Sequence, residues 1–177
     1  LPWNNELHYK DAKSGELITV KADPGTKVFT EMWSSFLTDF TKHLENKGWL
    51  EITNIAMDER SPKDMEETIK VLQKYAPKLG IALADNHKSY KRYPSIKDMS
   101  VAVGATVDIE DIVARQEKGL VTTAYVCCSH AFPNQFTFSD SGESAYIGWY
   151  VEANQLDGFL RWAFNAWTEY PLTDSRL

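Results

Sequence analysis

Residues 52–62 read ITNIAMDERSP, which is a short apolar run, three charged residues and a helix start. The apolar run at 52–57 is short and rich in isoleucine, as in a parallel strand that is covered on both faces. Pro62 suits the first helical position, where its missing N–H needs no partner. This stretch therefore predicts one strand-to-helix unit of an α/β fold.

The same alternation of strand and helix recurs along the chain. Apolar runs predict strands at 81–84, 99–104, 122–128 and 158–162, and periodic segments predict helices at 31–46, 62–75, 109–118 and 143–156. Parallel strands joined by helices form α/β folds. About five strands are predicted, whereas a complete (β/α)8 barrel needs ~250 residues. We therefore expect one α/β domain over residues 1–177, a partial (β/α)8 TIM-type barrel made of the later strands and helices.

The first helix and the segment before it have recognisable boundaries. A turn at 11–15 precedes the β-branched run Leu17–Val20, which predicts a hairpin. The helix at 31–46 is expected to take Thr30 as its N-cap and to end at Gly48, which suits the left-handed C-terminal position.

Composition and spacing exclude several classes of protein. Lys and Arg number 19 against 25 Asp and Glu, a net charge of −6, which speaks against a nucleic-acid partner. No run of about 18 apolar residues could cross a membrane, and no glycine-rich phosphate-binding motif follows a strand. The four His lack HxxxH spacing, and Cys127 and Cys128 are adjacent, so no metal site is expected. The two thiols are predicted to pack on a buried strand.

Polar and aromatic residues follow four of the predicted strands. Chemistry in barrels and open α/β sheets collects at the carboxyl ends of the strands, so these clusters are the candidate site. They are Asp58-Glu59-Arg60, Asp85-Asn86-His87, Cys127-Cys128-Ser129, and Arg161-Trp162 with Asn165 and Trp167.

Asp58 and Glu59 have two interpretations. At the exit of a strand both carboxyl groups can reach one pocket, where their proximity separates their pKa values into one acid and one carboxylate. Alternatively, Asp58 caps the helix that starts at Pro62, and Glu59 is a solvated surface charge.

The other clusters also leave alternatives open. Asp85-Asn86-His87 could bind hydroxyl groups or could cap the following loop. An Arg161 that faces a barrel interior needs a carboxylate partner or a ligand. Aromatic residues beside Asn and Arg suit sugars, whose apolar faces stack on rings, but Tyr146 and Trp149 are expected to fill the core.

Three further runs carry a resemblance to a known family. They are Tyr125-Val126-Cys127-Cys128-Ser129, Glu143-Ser144 with Gly148-Trp149-Tyr150, and Asp157-Gly158-Phe159-Leu160-Arg161-Trp162. Together with Ile55-Ala56-Met57-Asp58-Glu59, they make the chain similar to the C-terminal catalytic barrel of glycoside hydrolase family 123. The resemblance spans nearly the whole chain and is most specific in the last 55 or so residues.

The resemblance implies a function and a mechanism. Characterised members are β-N-acetylgalactosaminidases, so a carbohydrate substrate with terminal β-linked N-acetylgalactosamine and retaining, substrate-assisted cleavage are expected. By the family pattern Glu59 is the acid and base, and Asp58 orients the 2-acetamido group. Sugar contacts are expected at Asn86, Tyr150, Trp162, Asn165 and Trp167. No metal or organic cofactor is needed for this chemistry, and the parent protein is expected in the periplasm or outside the cell.

Two alternatives and one structural expectation accompany this hypothesis. The protein could be a glycosidase with a different sugar preference, or a non-catalytic carbohydrate-binding module. A partial barrel leaves an unpaired sheet edge, so the chain is expected to self-associate through that edge or to belong to a larger protein.

Overall fold

The computed structural model describes residues 5–57, 60–105, 107–161, 168–170 and 172–174. The chain divides into two compact units, Leu1–Leu83 and Ala84–Leu177. In the described part of the chain, no helix combines the length and the apolar character needed to cross a membrane.

The first unit begins with a hairpin. Strands β1 (Glu6–Lys10) and β2 (Leu17–Lys21) pair antiparallel, as the turn and the β-branched run predict. The Asp11 carboxylate accepts hydrogen bonds from two backbone N–H groups of the turn, Lys13 at 2.9 Å and Ser14 at 2.7 Å. These bonds lower the pKa of the Asp11 carboxyl group, because they favour its charged form.

Helix α1 (Lys27–Lys47) begins four residues earlier than the sequence predicts. Its N-cap is Thr26, which has extended backbone and whose hydroxyl accepts from the Phe29 N–H at 3.2 Å. The predicted cap Thr30 lies inside the helix and donates its hydroxyl to the Thr26 carbonyl. Gly48 ends the helix in the left-handed conformation, as predicted, with φ of 71°.

A strand–helix–strand unit follows. Strand β3 (Asn54–Met57) pairs in parallel with β4 (Gly80–Ala84), and α2 (Pro62–Tyr75) connects them. Residues 50–52 form a short 3-10 turn, so β3 is shorter than the predicted strand. This is the α/β unit that residues 52–62 predict.

Among its described residues, the second unit contains three parallel strands and two α-helices. Strand β6 (Val121–Val126) lies between β5 (Ile96–Ala102) and β7 (Gly158–Arg161). Helix α3 (Ile109–Gln116) precedes β6, and α4 (Ser141–Ala153) precedes β7. The predicted α/β class with parallel strands is confirmed. Closure into a (β/α)8 barrel, the single domain over 1–177 and self-association at a barrel edge remain predictions.

Arg115 of α3 fastens that helix to the neighbouring strands. It is 6% exposed, and its guanidinium donates to the Thr122 hydroxyl at 2.9 Å and to the carbonyl oxygens of Val121 at 2.9 Å and Ile96 at 3.2 Å. Burial lowers the pKa of this guanidinium, and the three acceptors compensate for part of the lost hydration. The buried charge is therefore structural.

Asp98 on β5 provides a test of this packing. Burial raises the pKa of its carboxyl group above 3.8, with a further contribution from Asp157, and the charge of Arg115 opposes the shift. The ionised form therefore costs folding free energy at neutral pH. We expect Asp98→Asn to increase the free energy of unfolding at pH 7, measured by urea denaturation. The gain should shrink as the pH falls through the folded-state pKa and vanish below the unfolded value of 3.8.

The exposed carboxylate of Asp39 in α1 supplies the control. Asp39→Asn removes an exposed charge and should change the free energy of unfolding at pH 7 only slightly. A gain from Asp98→Asn that did not depend on pH would contradict the electrostatic explanation.

Candidate active site

Of the predicted site residues, Asn86 and Tyr150 lie in the described part of the chain. Asp58, Glu59, Trp162, Asn165 and Trp167 lie outside the described residues.

The residues on either side of the acidic pair are described. Strand β3 ends at Met57, which is 4% exposed, so the pair directly follows the carboxyl end of a parallel strand. Beyond it, Arg60 donates from Nη1 to Oδ1 of Asn5 at 2.6 Å. The N-cap of α2 is Ser61, whose hydroxyl accepts from the Asp64 N–H at 3.1 Å. The N-cap position of α2 is therefore taken by Ser61, while Asp58 lies outside the described residues.

Asp85 shapes the loop that follows β4. It is 6% exposed, and its carboxylate accepts from the N–H groups of His87 at 3.1 Å and Ser89 at 2.8 Å. Its own N–H donates to the Ser100 carbonyl on β5. Within the Asp85-Asn86-His87 cluster, Asp85 therefore caps the loop, whereas the exposed Asn86 makes no contact of this kind and bonds to two neighbouring strands.

Asn86 joins the carboxyl ends of β5 and β6. Its Oδ1 accepts from the N–H of Ala102, the last residue of β5, at 2.9 Å. Its Nδ2 donates to the hydroxyl oxygen of Tyr125 on β6 at 3.2 Å. Tyr125 is thus a polar residue of this strand end that the sequence pattern does not single out as a sugar contact.

His130 contacts Tyr125 from the loop after β6. The two rings meet edge to face, with 6.2 Å between centroids and 76° between planes. Nδ1 of His130 accepts from the Cys127 N–H at 3.0 Å, so the neutral ring carries its proton on Nε2. The position of the Tyr125 ring is therefore fixed by both a hydrogen bond and an aromatic contact.

The two cysteines do not lie on a buried strand as predicted. Strand β6 ends at Val126, and the chain then turns, which leaves Cys127 half-buried and Cys128 exposed, both as free thiols. The Cys127 sulfur lies 3.0 Å from the Ser129 hydroxyl and 3.4 Å from Nδ1 of His130.

Asn134 organises the loop between β6 and α4. It is fully buried, and its Nδ2 donates to the carbonyl oxygens of Cys127 at 2.9 Å and His130 at 2.7 Å. Its N–H donates to Oε2 of Glu143, and the other oxygen of Glu143 accepts from the Asp140 N–H in a capping box on α4. This loop is therefore connected to the start of α4.

Tyr150 of α4 lies near the same strand ends. Its hydroxyl accepts from the N–H of Gly104 at 3.1 Å, and Gly104 has a φ of 84°, which favours glycine. The preceding residue, Val103, donates to the carbonyl of Tyr125. Asn86, Tyr125, His130 and Tyr150 therefore surround the ends of β5 and β6, and we call them the strand-end cluster.

Arg161 and the aromatic residues Tyr146 and Trp149 have different surroundings. Arg161 donates from Nη2 to the Gln135 carbonyl at 3.3 Å, and its buried Nη1 has no hydrogen-bond partner among the described residues. Tyr146 is 47% exposed and Trp149 is 80% exposed, so the prediction that they fill the core is wrong. Within α4, all of which is described, Ile147 alone is buried.

In the described ranges, no group of His, Cys, Asp and Glu is arranged to hold a metal ion.

Comparison with known proteins gives the family. The model of the glycoside hydrolase 123 catalytic domain matches residues 1–177. The chain belongs to glycoside hydrolase family 123. A family 123 glycoside hydrolase from Clostridium perfringens, whose structural analysis addressed glycolipid glycan hydrolysis, is similar in structure, with a TM-score of 0.85 and 33% sequence identity.

The two family 123 chains differ in extent. The similarity covers 97% of this chain and 31% of the Clostridium perfringens chain, so this chain spans about a third of that relative's length. No curated protein sequence matched. The resemblance seen in the sequence is confirmed at the level of the family.

Proposed function

We propose that the protein containing this chain is a retaining glycosidase that removes terminal β-linked N-acetylgalactosamine from glycans or glycolipids. Membership of family 123 supports the reaction class, and the analysis of glycolipid glycan hydrolysis in the Clostridium perfringens relative supports the kind of substrate. The observation that carries the proposal is the position of the adjacent pair Asp58-Glu59, immediately after the carboxyl end of β3.

In the proposed mechanism the substrate supplies its own nucleophile. The carbonyl oxygen of the 2-acetamido group attacks the anomeric carbon while Glu59 protonates the departing glycosidic oxygen. An oxazolinium-type intermediate forms, and Glu59 then removes a proton from the water that opens it, which regenerates the acetamide with retained configuration. Asp58 orients the acetamido group and stabilises the positive charge that develops on it.

Two adjacent acidic residues suit this division of labour. A retaining enzyme with a protein nucleophile places its carboxyl groups about 5–5.5 Å apart on either side of the scissile bond. When the nucleophile belongs to the substrate, the second carboxylate is needed beside the acetamido group instead. We also propose that sugar contacts come from Asn86 and Tyr150 of the strand-end cluster and from three residues that follow β7 in sequence, Trp162, Asn165 and Trp167.

The test measures hydrolysis of three aryl glycosides by the natural protein at its full length. They are the β-N-acetylgalactosaminide, its glucosamine epimer and the plain β-galactoside. Turnover of the N-acetyl substrates alone, with the galactosaminide preferred, is the expected result. Preferred turnover of the plain galactoside would indicate another sugar specificity. Absence of turnover, together with sugar binding that survives Glu59→Gln, would indicate a carbohydrate-binding module.

A further inference from the structure

We propose that exposed phenylalanine rings in the β6–α4 loop (residues 127–140) bind the leaving-group side of the glycan, which is the part beyond the sugar that is cleaved off. Two residues carry the proposal, Phe132 and Phe138, and we call their side chains the loop rings. The proposal rests on the proposed glycosidase function and deepens it, because it assigns residues that select the glycan to which the terminal sugar is linked.

Both loop rings are held towards solvent, and each lies against a second aromatic ring. Phe132 is 63% exposed, and its ring centroid lies 5.4 Å from that of Tyr146, with 44° between the planes. Phe138 is 60% exposed and stacks on Phe136, with 4.9 Å between centroids and 15° between planes. Each loop ring is therefore supported from one side and presents apolar surface to solvent. Exposed apolar groups that are gathered on one segment indicate an interaction site.

Hydrogen bonds within the loop fix the backbone that carries these rings. On the side of Phe132, the buried amide of Asn134 bridges two loop carbonyl oxygens. Around Phe138, the Ser139 hydroxyl accepts from the Phe136 N–H at 3.2 Å, and the Ser139 N–H donates to the Phe136 carbonyl at 3.0 Å. An ordered backbone determines where its side chains point. The exposure of the loop rings is therefore built into the loop.

The loop lies at the carboxyl ends of two neighbouring strands. It begins directly after β6, where the Asn134 amide donates to the Cys127 carbonyl at 2.9 Å. At β7, the guanidinium of the last residue, Arg161, donates to the Gln135 carbonyl at 3.3 Å. Ligands of barrels and of open α/β sheets bind at this end of the strands. The loop is therefore part of the rim of the candidate active site.

The position of the loop rings at this rim favours the leaving-group side of the substrate. A site that removes a terminal sugar encloses that sugar, as pockets for small ligands do. The rest of the glycan then extends outwards past the residues at the entrance. Exposed rings at the strand ends are therefore placed to meet the sugars beyond the scissile bond.

The composition of the loop favours a neutral glycan as the occupant. Residues 127–140 contain three Phe, with Ser, Thr, Asn and Gln among them, one Asp, and neither Lys nor Arg. Rings stack on the apolar faces of sugars, while amide and hydroxyl groups bond to sugar hydroxyl groups. An anionic lipid surface would require basic residues instead. A stable dimer buries about 800 Å² on each partner, more than two phenylalanine side chains supply at about 150–250 Å² each.

The experiment compares two substrates of the full-length protein. One is β-N-acetylgalactosaminyl fluoride, whose leaving group is a single atom that cannot reach the loop rings. The other is an oligosaccharide that ends in β-linked N-acetylgalactosamine and has neutral sugars on the leaving side. Phe132→Leu and Phe138→Leu keep the apolar character of each position and remove the flat ring.

We expect each variant to lower kcat/KM on the oligosaccharide by about 2- to 10-fold, and the double variant by about the product of the two losses. The change should be mainly in KM, because stacking is made to bound substrate and transition state alike. Kinetics on the fluoride should stay unchanged. In a Glu59→Gln background, calorimetry should show the same loss in affinity for the intact oligosaccharide.

Phe36→Leu is the matched control. Phe36 of α1 is 50% exposed and stacks on Phe40, with 5.2 Å between centroids and 16° between planes. It is thus an exposed phenylalanine supported by a second ring, but it does not belong to the β6–α4 loop. Its replacement should leave the kinetics on both substrates and the affinity for the oligosaccharide unchanged.

Three outcomes would overturn the proposal while leaving the proposed function intact. The first is a double variant with the original kcat/KM on the oligosaccharide. The second is an equal loss on both substrates together with a lower melting temperature, which would make the loop rings structural. The third is loss of self-association, or of binding to phosphatidylcholine vesicles, with an unchanged KM, which would assign the rings to a second copy or to a lipid surface. If the unmodified protein hydrolyses neither the fluoride nor any of the three aryl glycosides, the proposed function itself fails, and this proposal fails with it.

Discussion

Replacement of Glu59 by glutamine is expected to lower kcat on aryl β-N-acetylgalactosaminide by about 100- to 10,000-fold. This is the range that general acid–base groups contribute, and glutamine keeps the size of the side chain while losing the transferable proton. The loss should be greatest with a poorly departing alcohol and smaller with a nitrophenolate, which leaves without protonation. Initial rates with a series of leaving groups measure this dependence.

The exposed Glu51, which precedes β3, supplies the matched control. Glu51→Gln should leave kcat and the leaving-group dependence unchanged. The activity of the unmodified enzyme should also decline as the pH rises through the pKa of the acid. A Glu59→Gln variant with the original rate on poorly departing alcohols would remove Glu59 from the mechanism.

The second large effect concerns the 2-acetamido group of the substrate. Replacement of this group by a hydroxyl should lower kcat/KM by about 10,000-fold or more, because a well-oriented intramolecular nucleophile is worth an effective concentration of 10⁵–10⁸ M. Stepwise fluorination of the acetyl group should reduce the rate progressively, since fluorine withdraws electrons from the attacking carbonyl oxygen.

Asp58→Asn tests the protein's share of the same step. It should lower kcat and weaken the dependence on fluorination, because the carboxylate that orients the acetamido group is lost. Rates that were insensitive to fluorine in the unmodified enzyme would contradict substrate assistance and would require a nucleophile from the protein.

Much of the fold could be predicted because it depends on local patterns. The run at 52–57, the helix start at Pro62 and the left-handed Gly48 are signals carried by neighbouring residues. The start of α1 was misjudged because Thr26 and Thr30 are both acceptable caps. The turn at 23–26, rather than propensity, selects the earlier one.

The site was harder to predict because its contacts join distant parts of the chain. Asn86 was recognised as a polar residue at a strand end, but its partner Tyr125 is 39 residues away and resembles an ordinary strand aromatic. Cys127 and Cys128 continue an apolar run in the sequence. They lie outside the strand because the chain turns after Val126, and the Asn134 side chain stabilises this turn by donating to the Cys127 carbonyl. Trp149 was expected in the core because aromatic size favours burial, yet α4 presents it to solvent.

The hydrogen bonds of Asn134 hold the β6–α4 loop in one conformation. The Asn134 side-chain amide bridges two carbonyl oxygens of the loop, and its backbone is anchored to Glu143 on the helix. These hydrogen bonds order the loop before any ligand binds, so it differs from a flap that closes over a bound ligand. The conformational entropy of this segment is lost during folding, so binding of the proposed glycan substrate at these strand ends would not have to order the segment again.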